Sequence, residues 1–128
     1  MSCLLDTHIL LWALYDPDRL GAATRARLQD PATAVWFSAA SIWEVAIKFG
    51  LGRPDFTASP FEVRAEALAI GFRELAVDGL QAAQVTALPH LHADPFDRLL
   101  VAQAAATGLT LLTHNPQVAA YPGPVEQV

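Results

Sequence analysis

Four short apolar runs in this chain each lead directly into a helix-starting signal, and that arrangement leaves few folds open. Ser2 to Leu5 reads as a buried strand, followed at once by an apolar helix over Thr7 to Tyr15. Thr33 to Phe37, rich in β-branched and aromatic residues, is a second strand that runs into a helix from about Ala40 to Phe49. Phe72 to Val77 is a weaker strand ahead of a helix that Asp78 caps and Pro89 ends. Leu109 to Thr113 is a buried strand ahead of Asn115-Pro116, which starts a short helix before a Pro/Gly-rich tail. Further helices are expected near Arg19 to Gln29, near Phe61 to Ile70 behind Ser59-Pro60, and from Pro95 to Thr107 up to Gly108. Strands alternating with helices predict an α/β fold with a parallel sheet and helices on both faces. In such sheets ligands bind beyond the carboxyl ends of the strands.

Carboxylates stand where those segments are most apolar. Asp6 closes Cys3-Leu4-Leu5, Glu44 interrupts Ile42-Trp43-Glu44-Val45-Ala46-Ile47, and Asp94 and Asp97 open the helix of Phe96, Leu99, Leu100 and Val101. An ionised carboxylate in a core-forming segment needs a cation, several hydrogen bonds or a change of protonation state. Asp94-Pro95-Phe96-Asp97 also has a purely architectural explanation, as an N-cap, a first-turn proline and an acid that complements the helix dipole. Asp6 reads equally as a cap. Glu44 is harder to explain that way, since its best partner, Lys48 at i+4, contributes only about 0.2–0.5 kcal/mol on an exposed helix face. Three separate segments thus deliver acids toward one edge of the sheet. Oxygen-only ligands of this kind suit Mg²⁺ or Mn²⁺ and metal-assisted phosphodiester chemistry. The histidines His8, His90, His92 and His114 offer a competing zinc site, but their spacing matches no standard zinc pattern. His90 and His92 read as solvated loop residues, whereas His8 and His114 are placed to line the cleft as substrate contacts.

Composition narrows the remaining choices. The 128 residues suffice for one domain with its own core, and no dinucleotide, P-loop or serine-hydrolase signature occurs. Hydrophobic residues make up 53% and charged residues 16%, against roughly 45–50% and about 25% in ordinary domains, which suggests a surface covered by a partner or a second copy. The net charge of −5 argues against nucleic-acid binding through bulk basic charge, while leaving room for local phosphate contacts by Arg25 and Arg27. Apolar runs fall short of the roughly 20 residues needed to span a membrane, and Asp6 and His8 sit where a signal peptide would carry Lys or Arg, so a cytoplasmic protein is expected. Trp12, Trp36 and Trp43 lie in apolar segments and are expected in the core.

With the acids placed, the chain resembles the PIN-domain family, specifically the VapC-type ribonuclease toxins of bacterial and archaeal toxin–antitoxin pairs. The similarity lies in Leu5-Asp6-Thr7-His8-Ile9-Leu10-Leu11-Trp12, Ser38-Ala39-Ala40-Ser41-Ile42-Trp43-Glu44-Val45-Ala46-Ile47-Lys48, His92-Ala93-Asp94-Pro95-Phe96-Asp97-Arg98 and Leu109-Thr110-Leu111-Leu112-Thr113, in order along nearly the whole chain. The resemblance implies a single PIN domain over residues 1–128, a three-layer α/β/α sandwich around a mainly parallel sheet. It places Asp6, Glu44 and Asp97 on the family's metal-binding acids, with Asp94 as a nearby extra acid. Family members often carry a fourth acid where this chain has Asn115; an amide brings no charge, which weakens the case for a tightly held second ion. The implied activity is Mg²⁺- or Mn²⁺-dependent cleavage of RNA to 5′-phosphate and 3′-hydroxyl ends, with Lys48 and Arg98 as substrate contacts. The implied partners are a VapB-type antitoxin and a second copy in a homodimer. An alternative, prompted by Asn115, is a catalytically silent PIN-like module that only binds a protein.

Overall fold

The chain was described from a computed structural model spanning residues 1–128. Five strands, β1 (Ser2–Leu5), β2 (Ala34–Ser38), β3 (Arg73–Leu75), β4 (Thr110–Thr113) and β5 (Val125–Gln127), form one all-parallel sheet in the order β3-β2-β1-β4-β5. The helices are α1 (Thr7–Tyr15), α2 (Ala22–Gln29), α3 (Ala39–Gly50), α4 (Pro60–Ala69), α5 (Gly79–Gln84), α6 (Pro95–Thr107) and α7 (Pro116–Ala119). None is long and apolar enough to cross a membrane.

The period-two alternation of each strand divides the core into two faces. Cys3, Leu5, Val35, Phe37 and Leu112 point to one side and pack against Ile9 and Leu10 of α1, Val45 of α3, and Val63 and Ala67 of α4. Leu4 and Leu111 point to the other side, against Leu100, Val101 and Ala104 of α6 and Val118 of α7. The result is the three-layer α/β/α sandwich that the resemblance implied. β1 lies at the centre, and its register with both neighbours aligns Leu5 with Phe37 and with Leu112. Asp6, Ser38 and Thr113 therefore emerge together at the carboxyl edge.

Most expected elements are present with shifted ends. The helix expected from Arg19 starts at Ala22, because Leu20 and the capping Gly21 are extended and separate it from a 3₁₀ turn over Pro17–Arg19. The helix capped by Asp78 changes to a 3₁₀ turn at Val85–Ala87. The tail is not irregular to its end. Val125–Gln127 adds a parallel strand along β4, too short and too polar in sequence to announce itself, with its pairing supplied by an otherwise open edge. Trp43 also departs from expectation: it is 61% exposed and makes an edge-to-face contact with Phe96 at 5.3 Å between ring centroids.

A buried polar contact network joins the layers. Ser38 caps α3 through the amide N–H of Ala40 and donates its hydroxyl to Gln103 Oε1 at 2.6 Å, while the Gln103 amide donates to Gln81 Oε1 at 3.1 Å and to the Ala76 carbonyl at 3.4 Å. Gln103 is fully buried on α6. Gln103→Leu keeps its bulk but strands three polar partners, and unpaired buried groups cost about 1–3 kcal/mol each. The expected outcome is a loss of roughly 2–3 kcal/mol in urea unfolding, with the cooperativity of the transition retained.

Candidate active site

Asp6 follows the last residue of β1 directly, and two demands fix its carboxylate. Its Oδ1 accepts the Ile9 amide at 2.8 Å, capping α1, and its Oδ2 accepts the Thr113 hydroxyl at 2.6 Å. The architectural and functional readings of Asp6 are therefore compatible, since capping uses one oxygen and aims the group at the sheet edge. Thr113 also accepts the Asn115 amide N–H, which ties the start of α7 to the same point. Burial raises the Asp6 pKa above the ordinary carboxylate range, and the charge of Glu44 adds to the rise; the bonds from Thr113 and Ile9 oppose it.

Glu44 is buried on α3, with only 3% of its surface exposed. Thr7 donates to its Oε1 at 2.6 Å, and Lys48 holds its Oε2 at 2.5 Å. The i, i+4 partner does form, but inside the protein rather than on a solvated face, with 19% of the lysine side chain exposed. The Lys48 ammonium also lies 5.1 Å from the ring centre of Phe56.

Asp94 caps α6, its Oδ1 accepting the amides of Phe96 and Asp97 at 2.8 and 3.0 Å. Proline at the first helical position then places Asp97 one turn inside, facing the cleft. Burial, the neighbouring Asp94 charge, and the charges of Asp6 and Glu44 push Asp97 up to about 6, against a lowering hydrogen bond from His92. The mutual rise of Asp6 and Asp97 shows that all four acids share one field. His92, Asp94 and Asp97 offer ligand atoms within 4.8 Å of one another. Asp6 and Glu44 stand outside that tight set.

His92 is the site residue that sequence reasoning missed. Its Nε2 lies 2.9 Å from Asp97 Oδ2, its side chain is only 16% exposed, and the Tyr121 hydroxyl accepts its amide N–H and donates to its carbonyl. The signal was its position five residues before Asp97, in a loop whose solvation had been assumed. The other histidines do not join it: His8 meets Asp55 at 3.2 Å and His114 meets the Val128 carbonyl at 3.1 Å. A histidine-built zinc site is thus not assembled.

Arg98, expected to contact substrate, is turned inward instead. Its guanidinium donates to the Pro89 carbonyl and the Tyr121 hydroxyl, both at 2.9 Å, and to the Val85 carbonyl at 3.3 Å; only 8% of the residue is exposed. The start of α6 points Asp97 at the cleft, and the next residue must face the protein. Arg25 and Arg27 are likewise engaged, with Asp18 and Glu126. Asn115 caps α7 through its side-chain oxygen and lines a cleft with Asp6.

A family model for the PIN domain matches residues 3–124. Among solved structures, the chain is similar to VapBC2 from Rickettsia felis bound to a DNA fragment from its promoter, at 14% identity and a TM-score of 0.74, covering 100% of this chain and 99% of that one. It is also similar to a toxin–antitoxin complex from Klebsiella pneumoniae, at 22% identity and a TM-score of 0.63, covering 98% of this chain and 96% of that one. No curated protein matches its sequence significantly.

The raised carboxyls make folding stability depend on pH. Because Asp97 holds its proton more tightly when folded, the stabilisation is complete at acid pH and is lost as pH rises through about 6. In chelator, the protein is expected to be more stable near pH 5 than near pH 7.5, by about 1–2 kcal/mol after allowing for solvent access to the group. Thermal melts of Asp97→Asn should show a flatter profile; an unchanged slope would assign the effect elsewhere.

Proposed function

The chain belongs to the PIN-domain family, and from that membership we propose that it is a divalent-metal-dependent endoribonuclease, the toxin of a VapBC-type pair. The observation that carries the reading is a concentration of negative charge without matching cations. Lys48 neutralises Glu44, but no Lys or Arg side chain pairs with Asp6, Asp94 or Asp97. A divalent ion offsets that charge, and the donor set of carboxylates suits Mg²⁺ or Mn²⁺. Asp6, Glu44 and Asp97 would hold the ion, with Asp94 alongside. When bound, such an ion neutralises charge on a phosphodiester and lowers the pKa of an attacking water.

The chain's own residues prepare that chemistry. Thr113 and the first turn of α1 fix the direction of Asp6, and Thr7 with Lys48 fixes Glu44, so the acids are oriented before any substrate arrives. His92 orients Asp97 and is placed to exchange a proton with it. Lys48, partly exposed at the side of Glu44, is the cation placed to meet an incoming phosphate.

The partner reading is supported by large apolar side chains left in solvent, among them Trp43, Phe61 and Leu80 at 61%, 85% and 68% exposure. A VapB-type antitoxin helix and a second copy of the chain are the proposed occupants of that surface. A catalytically silent module would need no aligned, uncompensated acids and is the weaker reading. The toxin acts in the cytoplasm in this account.

Asp6→Asn and Glu44→Gln are expected to lower RNA cleavage at least about 100-fold while preserving the melting transition. Chelator should abolish the activity of the parent protein, and Mg²⁺ or Mn²⁺ should restore it. Full metal-dependent cleavage by both variants would defeat the assignment of these acids.

A further inference from the structure

On the α1 side of Asp6, two clefts of about 390 and 440 Å³ share His8 and Trp12 and so form one depression that begins at the buried acid. Aromatic rings line its floor. The indole of Trp12 sits 6.1 Å from the His8 ring and 5.1 Å from the His114 ring, and the Arg19 guanidinium lies 5.3 Å from the indole centre. Its rim is polar in both senses: Arg19 pairs loosely with Asp16 at 3.5 Å, and Asp55 holds His8. Nothing in the cleavage chemistry described above uses these groups.

This composition selects among the parts of an RNA strand. Asp16 and Asp55 repel a phosphate, so the backbone is a poor occupant. A nucleobase suits it better, because its face stacks on an aromatic surface and its edge presents both donors and acceptors, which carboxylate and guanidinium groups read together. A protein partner is disfavoured here, since the large exposed apolar residues lie on α3, α4 and α5, away from this depression. We propose that the depression is a base-binding subsite, in which one unpaired nucleobase adjoining the scissile phosphate stacks on Trp12 and has its edge read by Arg19, Asp16 and Asp55. Trp12 and Arg19 would then decide which RNA sequence presents its phosphate to the acids. The inference rests on the nuclease reading and deepens it.

The test measures binding, so it does not depend on cleavage. A fluorescent single-stranded RNA, and copies with an abasic nucleotide at each position in turn, are titrated into the cleavage-impaired Asp97→Asn protein and followed by anisotropy. At one position, loss of the base should weaken binding about ten-fold, in line with stacking on an aromatic side chain. Trp12→Leu should weaken the parent RNA by a similar factor and erase that positional loss, as a coupled pair in a double-mutant cycle must, while Trp12→Phe should retain most of it. Because Trp12 packs against the core, Arg19→Glu, whose parent side chain is 60% exposed, provides a second variant without that folding risk, and it too should diminish the positional loss. Arg64→Glu, on α4 and bonded to Glu74, is the control for net charge. The inference is overturned if the losses are additive at every position, if Arg64→Glu matches Arg19→Glu, or if Asp97→Asn binds no RNA. Failure of the parent protein to cleave any RNA with divalent ions would instead remove the nuclease reading.

Discussion

The hydrogen bond from Thr113 to Asp6 is the interaction on which the site depends. It closes the gap between the two central strands of the sheet, β1 and β4, at the level where the chain leaves the core, and it reconciles a carboxylate with burial. Asp6 is 5% exposed in a segment otherwise made of Cys3, Leu4 and Leu5, and without donors its charge would be untenable there. The same carboxylate caps α1. One side chain thus ends a strand, starts a helix and sets the position of the cleft.

Around that point the fold concentrates negative charge rather than dispersing it. Each acid has a local architectural task, whether capping or pairing, and each task leaves at least part of its carboxylate facing the common space. Asp97 shows the cost: four acids in one field hold its proton up to a pKa of about 6. Structure that raises a carboxyl in this way is working against its own stability, and the usual reason is that a cation is expected there.

Much of this was legible in the residues. Strand–helix alternation announced the parallel sheet, and carboxylates set in apolar runs announced the cleft, because both signals are local and periodic. What stayed hidden depended on long-range contacts. Whether Arg98 faces water or the protein is decided by Pro89, Val85 and Tyr121, residues distant from it in the chain, and a cation beside a proposed ligand gives no hint of that. His92 was overlooked for the same reason, since its loop is fixed by Tyr121 from beyond β4. β5 escaped notice because three residues carry too little pattern to stand apart from a Pro/Gly-rich tail. Trp43 was misplaced because an apolar helix does not say which of its sides is left without a neighbour.

Asp6 and Thr113 are separated by 107 positions, and Tyr121 lies later still. Contacts of such long sequence range form late, and during synthesis they must wait for the distal segment to leave the ribosome. A nascent chain therefore carries its first acid for most of translation without the donor that seats it or the ring that anchors the opposite loop. Catalytic competence would come only as synthesis nears its finish, which gives any co-translated guardian time to be waiting.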